Sequence, residues 1–234
     1  MARPRVAFLD ASHDDINTPR NFRRELDAEL VEFGASEGDI PDTTAYDGAV
    51  VTGSRSSVYW DEAWIPSLCE TIADFVAAEV PVLGVCFGHQ AVAHALGGTV
   101  EDMGEYELGY RTVQQVADDV LFRDVPDPFL AFQSHSDTVT ELPPEATLLA
   151  ENEAGVQAFR WGSAVGVQFH PEYDRETAQV VAERKDLPQA RIQAVLEGIT
   201  EEAVARAAKT KALFDGFDET IRAYRAEREV AADD

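Results

Sequence analysis

Lysine is almost missing from this chain: only Lys185, Lys209 and Lys211 occur, against 44 acidic residues. The formal net charge is −25 and the sequence pI is near 4.4. A surface of that sign repels a phosphate backbone, which argues against nucleic acid as a partner. The acids are spread along the whole chain rather than gathered in a tail. Carboxylates hold water, and concentrated salt screens their mutual repulsion to within about 3 Å at 1 M. A very salty cytoplasm is the setting that this composition fits.

Cysteine is scarce too. Cys69 and Cys86 alone make no disulfide framework. There is no run of about 18 apolar residues and no charged-then-apolar leader, so neither a membrane span nor a signal peptide is expected. The chain reads as cytoplasmic. It also lacks a glycine-rich phosphate cradle and any ligand spacing typical of zinc, so no cofactor and no metal are expected. No internal repeat or low-complexity linker is visible. What is present is 234 residues, 45% of them hydrophobic, enough for one sizeable core with an appendage.

Residues 80–90, Val-Pro-Val-Leu-Gly-Val-Cys-Phe-Gly-His-Gln, organise the rest. Val80, Val82, Leu83 and Val85 form a short β-branched run of the kind buried on both faces of a parallel sheet. From Gln90 onward the residues are good helix formers, up to the stop at Gly97 and Gly98. Cys86 therefore sits at a strand-to-helix junction between Gly84 and Gly88. Small neighbours permit the sharp turn of a nucleophile elbow, and a helix N-terminus favours thiolate over thiol. A lone cysteine at a strand end is ordinarily a small core residue. The far end of the chain changes that balance. Residues 165–169 form another buried strand pattern that runs into His170-Pro171-Glu172. Pro171 holds the residue before it extended, and Glu172 can point back at the imidazole. Nucleophile, base and orienting acid are then all present.

Residues 84–90 (Gly-Val-Cys-Phe-Gly-His-Gln) together with residues 168–172 (Gln-Phe-His-Pro-Glu) resemble the class I, or triad, glutamine amidotransferases. The likeness is greatest to the glutaminase domain of GMP synthase and its stand-alone relatives. Three further stretches agree in order: residues 48–54, residues 107–110 (Glu-Leu-Gly-Tyr), and Ser134, His135, Ser136 and Asp137. The resemblance implies a three-layer flavodoxin-like α/β sandwich with a central, mostly parallel sheet. Residues 1–175 would be the amidotransferase domain, and residues 176–234 a helical extension packed on it. Cys86 would attack a glutamine side-chain amide, with His170 as proton carrier and Glu172 fixing its ring. The backbone N–H groups of Gly53 and Phe87 would form the oxyanion hole. Ser54, Gln90, Ser134, His135, Ser136 and Asp137 would bind the amino-acid end of the substrate, with Asp137 pairing its ammonium. The GMP synthase branch usually has glycine where this chain has Ser136. His89 and His94 are not metal ligands in the family.

The resemblance leaves the nitrogen acceptor open. The synthetase signature Ser-Gly-Gly-Val-Asp-Ser does not occur, so ammonia would pass to a separate synthetase subunit. Some stand-alone relatives instead cleave γ-glutamyl peptide bonds with the same triad. A GMP synthase glutaminase subunit and a non-catalytic regulatory module are further readings.

Elsewhere the patterns predict a strand at residues 6–9, a polar loop containing a solvated His13, and a helix start at Asn17. Phe22, Leu26, Leu30 and Phe33 repeat at helical spacing, which extends that helix to Gly34. Tyr59 and Trp60 either cover the thiol or pack on the helix starting at Trp64, a helix in which Cys69 is inert core. Several consecutive strands follow, up to His170. Thr200 is a good helix start, and Phe214, Phe217, Ile221 and Tyr224 then line one face, a stripe that must be covered.

Overall fold

The computed structural model describes residues 3–13 and 15–233. The chain runs β1 (Arg5–Asp10), α1 (Asn17–Glu25), β2 (Glu29–Gly34), β3 (Gly48–Val51), α2 (Trp64–Ala77), β4 (Val82–Val85) and α3 (Phe87–Ala95). Then come β5 (Thr99–Gln115), β6 (Phe129–Glu141), β7 (Thr147–Asn152), β8 (Gly155–Trp161) and β9 (Ala164–Val167). The helices α4 (Arg175–Glu183), α5 (Gln189–Gly198), α6 (Glu201–Ala207) and α7 (Ala212–Asp233) follow.

Val6, Ala7, Phe8 and Leu9 are all fully buried in β1, and every residue of β3, β4 and β9 is buried too. Side chains alternate faces along a strand, so strands apolar at every position need cover on both sides. Val6, Phe8, Val50, Leu83 and Val85 share one core with Phe22 of α1 and Phe214, Phe217 and Ile221 of α7. Ala7, Leu9, Ala49, Val51 and Val82 share the other with Ile65, Leu68, Ile72 and Phe75 of α2 and Phe87, Ala91 and Val92 of α3. This is the three-layer sandwich that the motifs implied. The sheet order is β2-β1-β3-β4-β9-β8-β7-β5-β6. Strands β2, β1, β3, β4 and β9 are parallel neighbours. From β9 onward the pairing is antiparallel.

One element differs from expectation. The helix of α1 stops at Glu25, Leu26 is extended, and Leu30 and Phe33 lie on β2, paired in parallel with β1. The helical spacing of Phe22, Leu26, Leu30 and Phe33 is coincidental. Leu30 packs toward the α1 and α7 core, whereas Val31 and Phe33 pack toward the α2 core. A strand can reach both faces; one helical stripe cannot.

The C-terminal helices have two destinations. Ala178 of α4 and Ile199, which follows α5, pack on Leu108 of β5 and Phe132 of β6, with Val181, Val195 and Val204 alongside. Thr200 caps α6 through the Ala203 N–H, as its position suggested. The stripe on α7 instead forms one outer layer of the main sandwich, with Phe214, Phe217 and Ile221 all buried.

Candidate active site

Because β3, β4 and β9 run parallel, their carboxyl ends emerge on one edge, and the residues just beyond them are Gly53, Cys86 and His170. Cys86 has φ 56° and ψ −106°, a conformation that L residues rarely adopt, and it precedes the first turn of α3. Such strain costs on the order of 1–3 kcal/mol and persists only where the surroundings impose it. Here they do. The Cys86 N–H donates to the Val167 carbonyl at 2.9 Å, and its own carbonyl accepts from the Gln90 N–H at 3.1 Å. Both flanking glycines are needed for close approach. A methyl group at Gly84 would lie 2.3 Å from the Gly88 carbonyl oxygen, and one at Gly88 would lie 2.2 Å from that of Val51.

The ring of His170 stands beside this sulfur. Nδ1 is 2.8 Å from Glu172 Oε1, and both side chains are buried. Burial alone would lower the His170 pKa. The Glu172 carboxylate and the Cys86 sulfur, each also hydrogen-bonded to the ring, more than offset this and raise it from 6.5 to about 10. Both partners thus favour the imidazolium form. Gly53 closes the third side: a methyl group there would lie 3.2 Å from His170 Cε1 and 3.6 Å from Cys86 Cβ. Arg24 of α1 reaches under the turn and donates to the Glu172 carbonyl at 2.6 Å.

The remaining expected residues line the same cavity of about 610 Å³, which includes Ser54, Phe87, Gln90, Ser134, His135, Ser136 and Asp137. Their partners refine the expectation. Both Asp137 carboxylate oxygens already accept hydrogen bonds, from Ser57 Oγ at 2.5 Å and from the Tyr59 hydroxyl at 3.0 Å. Tyr59 is thereby tied to Asp137 from the loop after β3, but its ring and that of Trp60 are both about half exposed, and neither lines the cavity. Gln90 spends its amide N–H groups inside the protein, on the Asp137 carbonyl and on Gln168 Oε1. His135 bridges its own strand to the next: Nε2 is 2.8 Å from Glu107 Oε2, and Nδ1 is 2.8 Å from the Asp137 carbonyl. Its contacts hold the strand corner of residues 134–137 in place.

Sequence reasoning passed over several lining residues. His13, expected in solvent, sits on the cavity wall with Nε2 3.0 Å from Ser56 Oγ and its ring edge-on to Trp64. Tyr106 lies across the site with its hydroxyl 3.4 Å from the Ser134 carbonyl, and Lys185 of the chain after α4 donates to that hydroxyl. Tyr173 stacks on His170. The only early signals were the scarcity of lysine and the position of Tyr173 directly after Glu172. His89 lies outside the cavity, packed on Gly166 and the Phe159 ring. Burial lowers its pKa to about 3, so it stays neutral.

The profile of the family described as glutamine amidotransferase class-I matches residues 20–186. The chain belongs to that family. Among characterised relatives, gamma-glutamyl peptidase 5 of Arabidopsis thaliana is 32% identical over 163 residues, covering 65% of this chain and 65% of the peptidase. GMP synthase [glutamine-hydrolyzing] of Aliivibrio fischeri (strain MJ11) is 36% identical over 173 residues, covering 72% of this chain but only 32% of the synthase. The chain thus spans just under two thirds of the former and about a third of the latter. A crystal structure of a glutamine amidotransferase from Thermotoga maritima superimposes with a TM-score of 0.80 at 26% identity, covering 94% of this chain and all of that one. No helix among the described residues is long and apolar enough to cross a membrane.

Proposed function

We propose that this amidotransferase hydrolyses the side-chain amide of glutamine through a Cys86 thioester, releasing glutamate and ammonia. The observation that carries the reading is the meeting of Cys86, His170 and Glu172 at one sheet edge, with His170 charged by its neighbours. The Cys86 thiolate attacks the amide carbon, and the carbonyl electrons move onto oxygen. The Gly53 and Phe87 N–H groups hold that oxyanion, a contribution worth about 10²–10³ in rate per donor. Collapse expels the amine as His170 gives it a proton, leaving a thioester and a neutral ring. With the thiolate consumed, one of the charges that favoured imidazolium is gone. The ring is then the stronger candidate to take a proton from the water that cleaves the thioester. Glutamate departs and the thiolate–imidazolium pair is restored. The amino-acid end of the substrate would meet Ser54, Gln90, Ser134, Ser136 and Asp137. Asp137 keeps lone pairs for an ammonium beyond those used by Ser57 and Tyr59.

A second reading rests on the size of the cavity. At about 610 Å³ it runs past Cys86 to His13, Arg55, Arg184 and Lys185, leaving room for a leaving group larger than ammonia. A γ-glutamyl peptide offers the same reacting carbon. Glutamate release from glutamine and from γ-glutamyl dipeptides, by wild type and by Cys86→Ala, separates the two. Turnover that survives in Cys86→Ala, or its absence on both substrate classes in wild type, would sink the proposal. A separate synthetase subunit is the proposed acceptor when ammonia is the product, and added synthetase should raise turnover. We further propose that residues 1–175 and the helices after them act as one unit, in a salt-rich cytoplasm. The composition supports the salt setting, and a melting temperature that does not rise from low to multimolar KCl would contradict it.

A further inference from the structure

Tyr173 follows the triad acid, and its ring lies flat on the imidazole of His170. The centroids are 4.1 Å apart and the planes 15° from parallel. It also packs against the cluster of Leu108, Phe132, Ala178 and Ile199, with the Phe132 ring at 5.8 Å. The turn that carries it is pinned at both ends. Arg24 holds the Glu172 carbonyl, while Arg20 and Arg24 both bind Asp174, which in turn caps α4 through the Thr177 N–H. Its contacts to His170 and Phe132 are made by the ring, so the side chain acts through its face. Aromatic neighbours are usually edge-to-face or offset, and a flat stack at this distance suits a cationic ring over a π-surface.

We propose that Tyr173 is a positioning residue for His170: its π-face holds the imidazole plane between Cys86 and Glu172 and favours the imidazolium form. The inference rests on the reading of His170 as the proton carrier. The other charged and titratable groups around this corner are Cys86 at the start of α3, Glu172 on the same turn, Asp15 in the loop after β1, and Tyr106 on β5. Burial pushes the Tyr173 phenol well above its ordinary value, so the face stays neutral and electron-rich throughout. Removing it withdraws a cation–π contact but leaves the Glu172 hydrogen bond in place. His170 should then lose its proton about half a unit to one unit lower in pH.

The test compares Tyr173→Phe and Tyr173→Leu with wild type in protein labelled at its five histidines, with the His170 signal identified by its loss in His170→Asn. Wild type and Tyr173→Phe should share an upfield, ring-current-shifted His170 signal with the same high titration midpoint. Tyr173→Leu should lose the ring-current shift and titrate earlier by the stated amount. In glutamine turnover, kcat should fall about tenfold in Tyr173→Leu with little change in KM, and Tyr173→Phe should restore it. The alkaline limb of the rate profile should move with the midpoint. Where Tyr173→Leu does not fold, Tyr173→Met repeats the comparison with a longer side chain. A leucine or methionine variant that titrates as wild type overturns the proposal, and so does a phenylalanine variant that falls as far as leucine. A wild type inactive on glutamine would remove the proposed reaction while the histidine titration still decides the role of Tyr173.

Discussion

Replacing Glu172 by glutamine is the sharpest perturbation of the proposed chemistry. The shape of the side chain is kept and one charge is removed, 2.8 Å from His170 Nδ1 in a buried pair. In wild type, burial works to deprotonate the ring, and Glu172 is the largest influence against it, followed by Cys86. Together these set the pKa near 10, against 6.5 for a free histidine. Without the carboxylate, burial loses its largest opponent, so the midpoint falls and less of the ring is protonated at physiological pH. Each unit corresponds to about 1.4 kcal/mol. A glutamine amide can also turn its NH₂ toward Nδ1, which selects the wrong tautomer for proton transfer at Nε2. The combined expectation is a loss of about 10²–10⁴ in kcat near neutral pH. Glu172→Asp keeps the charge and should lose only about tenfold. The stability signature has a definite sign. The folded-state pKa of His170 is raised, so its contribution is full below pH 6.5 and is lost as pH climbs through about 10. That decline should be present in wild-type denaturation curves and absent in Glu172→Gln. Glutamate release and urea unfolding, each followed across the same pH range, check both halves. A glutamine variant within about threefold of wild-type kcat would refute the assignment of Glu172 as the orienting acid.

Three further outcomes are expected. Gly88→Ala forces a methyl group to 2.2 Å from the Val51 carbonyl oxygen, where only backbone can yield. It should destabilise by about 3 kcal/mol, lowering the melting temperature by roughly 6–12 °C in calorimetry. Iodoacetamide near neutral pH should label Cys86 and spare Cys69, whose thiol burial pushes up to about 11. Equal labelling in a peptide mass map would contradict this. Phe217→Ala on α7 should cost about 3–5 kcal/mol and shift the single unfolding transition, because its ring shares a core with Phe8 and Val50. If the C-terminal helices were a loosely attached appendage, the transition of the sheet would not move.

Much of the site was legible in the chain because its constraints are local. An apolar run broken by Gly84 and Gly88 around one cysteine predicts both the strand and the elbow, and Pro171 fixes how His170 leaves its strand. The polar lining was harder to read, since its meaning comes from distant partners. Nothing near Asp137 in sequence shows that Ser57 and Tyr59 occupy its carboxylate. His13 looked like a solvated loop residue because Ser56 and Trp64, which hold it, lie more than forty positions away. Leu30 and Phe33 fit a helical repeat with Phe22 and Leu26, yet they also fit an edge strand partly buried on both faces. Only pairing with β1 separates the two. The stripe on α7 did signal that it needs cover, and what it covers is the main sheet.

Helix α7 completes the sandwich by lying over strands made near the start of synthesis. Between the last residue of β3 and the first of α7 the ribosome adds about 160 residues, which at about 5–20 residues per second takes roughly ten to thirty seconds. Throughout that interval α1 covers only its share of the flank that holds Phe8 and Val50, and the part that α7 will cover stays open. The acid excess acts during that interval: like charges on neighbouring nascent chains repel, which opposes contact between half-built sheets until the last helix arrives.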